Sequence, residues 1–133
     1  MATVDTNTVV RQFLVDSAIL GTKIYCPRLP ENVALPAISF FTRGGRATPY
    51  IPPMPEPSVQ FDCWAYDPLE ARRIYGLLYD ALQGIQREVV TVSGTDYIIW
   101  GAEEEVQGQD LVDTAIQGYF RVLTFFRFII KAE

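Results

Sequence analysis

The chain has 133 residues, of which 49% are hydrophobic and 20% are charged, and its formal net charge is −5. This composition predicts one globular domain over residues 1–133. The acidity argues against a protein that grips nucleic acid, since phosphate contacts need Lys and Arg. The sequence contains no histidine, which excludes imidazole catalysis, and two cysteines alone cannot complete a zinc site.

The first predicted element is a helix over residues 5–20. Its apolar residues recur at the spacing of one helix face, and Gly21 follows as a C-terminal stop. A short extended piece over residues 23–26 comes next and ends at Pro27. The predicted buried face of the helix consists of Val10, Phe13, Leu14, Ser17 and Ala18.

The two cysteines, Cys26 and Cys63, are predicted to be buried thiols of a protein in a reducing cytoplasm. Cys63 falls on the apolar face of a predicted strand, and Cys26 lies just before Pro27. A disulfide bond between Cys26 and Cys63 is the alternative, which the sequence alone leaves open.

Residues 37–42 are predicted to form a strand, and residues 43–57 a long arm with Gly44 and Gly45 as a hinge. The arm holds five of the nine prolines, and proline cannot donate to the hydrogen bonds of a sheet. Two interpretations are open, a disordered loop and an arm that binds a partner, and the apolar residues favour the second. The arm residues predicted to contact a partner or subunit are Arg43, Arg46, Tyr50, Ile51 and Met54.

Residues 58–85 predict a strand that leads directly into a helix. The strand alternates, with Phe61 on an apolar face and both Asp62 and Trp64 on the opposite face. Asp67 is the expected N-cap and Pro68 the first helical residue. The expected buried stripe of the helix is Ile74, Leu77, Leu78, Ala81, Leu82 and Ile85.

Two strands, 88–92 and 97–102, are predicted to form a hairpin around a turn at 93–96. The acidic run at 103–105 is expected to be a solvated continuation or a bulge. Neighbouring carboxylates on a strand point to opposite faces and do not converge on one ion, so no metal site is predicted. Residues 107–113 are predicted to form a loop.

Residues 119–131 form the longest predicted strand, and both of its faces are largely apolar, so both are expected to be covered. One face is expected to pack on the helices. The other mixes arginines with aromatic residues, which is typical of a subunit interface. The residues predicted to form that interface are Tyr119, Arg121, Phe125 and Arg127.

Together these elements predict an α+β fold: a mostly antiparallel or mixed β-sheet, two main helices packed on one side of it, and the proline-rich arm. No catalytic constellation, phosphate-binding Gly-rich loop or cofactor site is recognisable in the sequence. No membrane segment is predicted either, since no apolar run approaches ~20 residues.

The segment Val59–Ala65, followed by Pro68–Arg72, resembles the middle of the tail terminator (tail completion) family of long-tailed, siphovirus-type bacteriophages. The order of the elements is similar as well: an N-terminal helix, a strand that contains Leu35–Ile38, a long arm, and then the strand and helix. The resemblance covers most of residues 9–85. The family has no active-site residues to carry over to this sequence.

The resemblance implies a structural virion protein that forms a ring, usually of six copies, at the head-proximal end of the tail tube. Such a ring ends tube polymerisation and joins the tail to the head. The implied partners are further copies of the chain, the tail tube protein and a head-closure or neck protein. DNA crosses the central channel without specific binding, and neither a cofactor nor enzyme activity is implied. The implied location is the virion tail, with assembly in the host cytoplasm.

Two alternatives stay open at this point. The first keeps the chain in the phage particle, as a head-closure protein or another neck connector. The second is a small α+β ligand-binding domain or enzyme, which needs a pocket with convergent polar groups. On any of these interpretations, Asp62 and Trp64 are expected to orient the sheet and the helix rather than to do chemistry.

Overall fold

The computed structural model describes residues 6–18, 23–28, 36–46, 56–112 and 120–132. These residues form two helices and one six-stranded sheet, which confirms the predicted α+β fold. In chain order the elements are α1 (Thr6–Asp16), β1 (Ile24–Tyr25), β2 (Ala37–Arg46), β3 (Glu56–Ala65), α2 (Pro68–Leu82), β4 (Glu88–Val92), β5 (Thr95–Val112) and β6 (Phe120–Ala132).

The sheet is mixed, with the strand order β1-β2-β3-β6-β5-β4. Strands β1 and β2 run parallel, and the other neighbouring pairs are antiparallel. Strands β3 and β6 lie at the centre, and their register pairs Phe61 with Thr124 and Asp62 with Leu123. Because side chains alternate along a strand, this register gives the two strands a common inner face and a common outer face.

The inner face carries the hydrophobic core. The Phe61 ring lies 5.7 Å from that of Phe40, 5.8 Å from Phe126 and 6.2 Å from Phe128, measured between ring centroids, and all four residues are fully buried. These separations are those that aromatic pairs prefer. Both helices pack on this side of the sheet, as predicted. Their residues in the same core cluster include Val9, Val10 and Leu14 of α1 and Ala71, Ile74, Tyr75, Leu78 and Leu82 of α2.

Helix α1 contacts both edges of the sheet, β1 and β2 at one edge and β4 at the other. The sheet therefore curls around this helix. Two hydrogen bonds anchor α1 at the first edge: Arg11 Nε donates to the carbonyl of Ile24 at 3.0 Å, and the Thr42 hydroxyl donates to Asn7 Oδ1 at 2.7 Å.

Helix α1 is shorter than predicted, because it ends at Asp16. Ala18 has a φ of 57°, a left-handed conformation that ends helices. Ser17 and Ala18 are exposed, so their assignment to the buried face is wrong. The predicted stop at Gly21 lies outside the described residues.

The junction between β3 and α2 matches the prediction. The Asp67 carboxylate accepts a hydrogen bond from the backbone N–H of Leu69 at 2.8 Å, and Pro68 is the first helical residue. This cap satisfies one of the backbone donors that a helix N-terminus leaves unpaired. Of the predicted stripe, Ile74, Leu78 and Leu82 are buried, and Leu77, Ala81 and Ile85 are half-buried. The helix ends at Leu82, so the assignment of Ile85 to it is wrong.

Both ends of the predicted arm are strand, so the prediction that residues 43–57 lie outside the sheet is wrong there. Strand β2 runs to Arg46 and β3 begins at Glu56, and these two residues pair. A register shift between Thr42 and Gly45 leaves two residues of β2 opposite one of β3, which is a β-bulge. Gly44, with a φ of 114°, supplies the conformation that the bulge needs. Pro57 is accommodated because it lies next to the first residue of its strand.

Strand β4 has the predicted bounds, but the turn after it is shorter than predicted. It consists of Ser93 and Gly94, whose φ angles are 50° and 82°. Positive φ at both central residues is the signature of a type I′ turn, whose twist matches that of the paired strands.

Strand β5 continues to Val112, so the predicted loop is wrong for residues 107–112. Three register shifts against β6, after Ile99, Glu104 and Val106, insert extra residues into β5. Each bulge moves the following side chains out of simple alternation. The sequence therefore loses the period of a strand while the backbone pairing continues.

Gly108 in β5 packs closely against α2. A Cβ atom there would lie 2.8 Å from two ring atoms of Tyr75 and 2.8 Å from Cγ1 of Val122. The backbone N–H of Gly108 also donates to the Tyr75 hydroxyl at 3.3 Å, and its carbonyl accepts from Arg72 Nη1 at 3.0 Å. A residue larger than glycine would therefore clash at this contact between α2 and β5.

Cys26 and Cys63 do not form a disulfide bond with each other. Cys63 is buried, as predicted, and burial raises the pKa of its thiol, with a smaller contribution from the Asp62 carboxylate. Cys26 is half-buried, so the expectation that both thiols are buried is wrong for Cys26.

We expect Gly108→Ala to lower the free energy of unfolding by about 1–3 kcal/mol, the usual cost of overpacking. The added methyl group would push the Tyr75 ring and Val122 away from β5. The measurement is urea unfolding followed by circular dichroism.

The matched control is Gly76→Ala in α2, where an added Cβ meets no atom within 4 Å. A helix-interior glycine costs roughly 0.5–1 kcal/mol relative to alanine, so this variant should be more stable than the wild type. Equal stability of the Gly108→Ala variant and the wild type would contradict the close approach.

Candidate functional site

The outer face of the sheet lies opposite the two helices. On β2, β3 and β6 it carries a continuous set of polar, aromatic and charged side chains. We use the name outer face for Ser39, Gln60, Asp62, Trp64, Arg121, Leu123, Phe125 and Arg127.

A polar cluster occupies one part of the outer face. Trp64 Nε1 donates to the Ser39 hydroxyl at 2.9 Å, and Arg121 Nη1 lies 3.3 Å from Asp62 Oδ1. The Arg121 guanidinium carbon also lies 5.3 Å from the centre of the Trp64 ring, within range of a cation–π contact. Ser39, Asp62 and Trp64 are 3%, 6% and 9% exposed, so the cluster belongs to the protein interior.

The cluster ties the central strand to both of its neighbours. Trp64 bonds across to Ser39 of β2, and Asp62 bonds across to Arg121 of β6. Asp62 and Trp64 thus connect neighbouring strands, and their expected role of orienting the sheet and the helix stays a prediction. The other predicted motif residues have separate roles, since Phe61 lies in the core on the inner face.

Two opposing effects act on the Asp62 carboxyl group. Burial raises the pKa of Asp62 above its ordinary value, and the Arg121 guanidinium and the Gln60 amide partly offset that rise. Burial is the larger effect because it removes the carboxylate from water. Arg121 Nε is itself buried and has no hydrogen-bond partner among the residues that the structure describes.

A second part of the outer face is more open. The Arg43 guanidinium carbon lies 4.2 Å from the centre of the Phe125 ring, and Arg127 forms an ion pair with Glu103 of β5. Arg43 is exposed, and both Phe125 and Arg127 are half-buried. An arginine stacked on an aromatic ring at a partly exposed surface is typical of protein interfaces.

The structure brings together three of the four residues predicted for the last-strand interface. Arg121, Phe125 and Arg127 all lie on the outer face, and Tyr119 lies outside the described residues. Arg43 joins them through its contact with Phe125. One predicted arm residue therefore belongs to the sheet surface.

The remaining predicted arm residues stay predictions. Tyr50, Ile51 and Met54 lie outside the described residues. The backbone of Arg46 pairs with that of Glu56, and the Arg46 side chain is not among the described features.

The acidic run Glu103–Glu105 continues strand β5 and is solvated in part, as expected, because Glu103 and Glu105 are exposed while Glu104 is half-buried. Glu103 pairs with Arg127, and Glu105 accepts a hydrogen bond from Ser58 at 2.6 Å. Glu104 turns towards α2 instead. The bulge after Glu104 accounts for this divergence, and the expectation of a bulge is confirmed.

Sequence reasoning missed a partly buried polar contact among three elements. Glu104 Oε2 accepts hydrogen bonds from the Tyr75 hydroxyl at 2.6 Å and from the Thr124 hydroxyl at 2.7 Å. Burial, followed by the bond to Glu104, raises the pKa of Tyr75 to about 12. The one signal in the sequence was Thr124, a polar residue on an otherwise apolar strand face.

Among the described residues, no group of three or more His, Cys, Asp or Glu side chains is arranged to hold a metal ion. Within the same part of the chain, no helix is long and apolar enough to cross a membrane.

Comparison of the sequence with models of known protein families found no match, and comparison with curated proteins found none either.

We expect Asp62 to stabilise the fold more in acid than at neutral pH. Its pKa is raised in the folded protein, so the folded state binds the proton more tightly than the unfolded chain does. This contribution is fully present below the ordinary Asp pKa of about 4 and is lost as the pH rises through the folded-state value.

The measurement is urea unfolding of the wild type and of Asp62→Asn at a series of pH values from 4 to 7. The stability of the wild type minus that of the variant should fall as the pH rises. A difference that grows with pH would mean that the Arg121 ion pair, rather than burial, dominates the Asp62 pKa.

Proposed function

We propose that this chain is a structural subunit of a phage tail, a tail terminator whose copies form a ring of six at the head-proximal end of the tail tube. The ring ends tube polymerisation and offers the surface to which the head and its neck proteins dock. DNA passes through the central channel. The proposal starts from the resemblance of residues 59–72 to that family and is supported by the surfaces described above.

The observation that carries the proposal is the open part of the outer face. Arg43 stacked on Phe125, together with Arg127, gives an aromatic and guanidinium surface on the side of the sheet away from the core helices. Interfaces are enriched in aromatic residues and arginine relative to other surfaces. A second copy of the chain is the partner that a ring requires.

A ring of identical subunits also requires a second, different contact patch, because its interfaces are heterologous. The arm is our candidate. Its base is a paired ladder that ends at Arg46 and Glu56, and the chain between them carries Tyr50, Ile51 and Met54. In the proposed ring, the arm of one copy meets a neighbouring subunit or the tail tube.

The charge balance agrees with a channel that lets DNA through. The formal net charge of the chain is −5, and a like-charged wall repels phosphate groups instead of holding them. A lumen of this kind passes DNA during ejection without specific binding.

Replacing residues 47–55 by a short Gly-Ser turn should leave the fold intact and abolish assembly. The ladder between Arg46 and Glu56 is retained in this variant, so thermal unfolding should resemble that of the wild type. Binding to the ends of purified tail tubes, scored by negative-stain electron microscopy, should be lost. Unfolding of the variant, or capping of tubes as efficient as that of the wild type, would contradict the role of the arm.

Placing a negative charge on the outer face should also break the ring. Phe125→Asp removes the ring on which Arg43 stacks and introduces an unpaired carboxylate into the proposed interface, so sedimentation velocity should show smaller species.

The matched control is Leu69→Asp, at a residue that is 80% exposed near the start of α2 and lies off the outer face. This variant should assemble like the wild type. Equal assembly of both variants would place the subunit contact elsewhere.

A further inference from the structure

A pocket of about 260 Å³ lies between the loop that follows α2 and strand β5. Loop residues 83–86 form one wall, and Trp100, Gly101 and Ile129 are among the residues that line the rest. This volume is just below the ~300–1,000 Å³ typical of sites for whole small molecules. The pocket therefore suits a group of the size of one amino-acid residue.

Hydrogen bonds to β5 hold the loop wall in place. The backbone N–H of Gly84 donates to the carbonyl of Ala102 at 3.1 Å. The side-chain carbonyl of Gln83 accepts from the backbone N–H of Glu104 at 2.8 Å. Backbone groups of β5 thus fix the position of the loop wall.

The floor of the pocket contains a strand glycine with empty space above it. Gly101 lies opposite Ile129 in the sheet, next to the bulge at Trp100. A Cβ atom on Gly101 would meet the carbonyl oxygen of Ile85 at 3.9 Å and no closer atom. Packing within the protein therefore does not require glycine here, and glycine inside a strand often marks the close approach of a ligand or another backbone.

The rim of the pocket offers a donor and an acceptor side by side. Arg127 Nη2 donates to Glu103 Oε1, and the two side chains are 37% and 57% exposed. The other nitrogens of Arg127 and the second oxygen of Glu103 make no further hydrogen bond within the described part of the chain. The Arg87 guanidinium carbon lies 5.4 Å from the centre of the Trp100 ring. The buried Nε1–H of Trp100 has no hydrogen-bond partner in the described ranges of the chain.

We propose that this pocket binds an extended polypeptide segment of a partner protein, through one backbone amide and one aliphatic side chain. The amide carbonyl accepts from the spare nitrogens of Arg127, and the amide N–H donates to the spare oxygen of Glu103. The aliphatic side chain fills the space above Gly101, against Ile85 and Ile129. An amide satisfies both rim groups and adds no charge beside either of them. The pocket shares Arg127 with the outer face, but the proposed binding of a peptide segment does not depend on the proposed tail function.

The test observes the two indole N–H signals of the ¹⁵N-tryptophan-labelled protein by NMR. Trp64, bonded to Ser39, serves as the internal reference for the fold. The probe is N-acetyl-leucinamide, which carries amide groups and an aliphatic side chain. The control is 3-methyl-1-butanol, which has a similar aliphatic group and no amide. We expect the Trp100 signal to shift saturably with the probe and not with the control, while the Trp64 signal stays in place.

Two variants locate the effect. Gly101→Val fills the floor with a side chain that suits a strand, and Arg127→Leu removes the rim donor while keeping much of the volume. Each should abolish the Trp100 shift with the Trp64 signal unchanged. Absence of a shift in the wild type, an equal shift with the alcohol, or a shift that survives in both variants would overturn the proposal.

Discussion

The pairing of β3 with β6 is the constraint on which both surfaces of this protein depend. Phe61 and Asp62 are neighbours in the chain, and the alternation of the strand sends one into the core and the other to the outer face. Strand β6 repeats the pattern with Phe126 inside and Phe125 outside. A slip of one residue would exchange the two sets, so the core and the candidate interface share one register.

The partly buried pair of Asp62 and Arg121 acts on the same register from the outer face. Removing two charges from water is costly, so a buried ion pair is weak evidence for stability. The ion pair instead favours one register of β3 against β6. Arg121 reaches Asp62 in the observed pairing, whereas a slip of one residue would turn Arg121 towards the core. The contact between Trp64 and Ser39 acts in the same way on the pairing of β3 with β2.

Local signals in the sequence predicted the parts of the fold that local interactions specify. The cap at Asp67 and the first helical residue Pro68 are adjacent in the chain, and both were predicted correctly. The apolar stripe of α2 was predicted in part, because Ile74, Leu78 and Leu82 are buried. Strands β3 and β6 were found because their alternation is regular. Their outer-face residues Phe125 and Arg127 were accordingly placed on one face.

The rest depended on contacts between residues far apart in the sequence. Each bulge in β5 breaks the strand period, so residues 107–112 were taken for a loop. The hydrogen bonds of Glu104 to Tyr75 and Thr124 join three elements, and no local pattern predicts such a contact. The prolines of residues 43–57 led to the prediction of an arm outside the sheet, so the ends of β2 and β3 were not predicted. A bulge at Gly44 lets these strands stay paired as far as Arg46 and Glu56.

The most direct test of the account is the solution mass of the wild-type chain, measured by light scattering over a wide concentration series. If the outer face joins copies into a ring, a discrete species near six times the 15.0 kDa chain mass should form as the concentration rises. A chain that stays monomeric throughout, or that stops at a dimer, would contradict the claim that this face assembles copies into a ring.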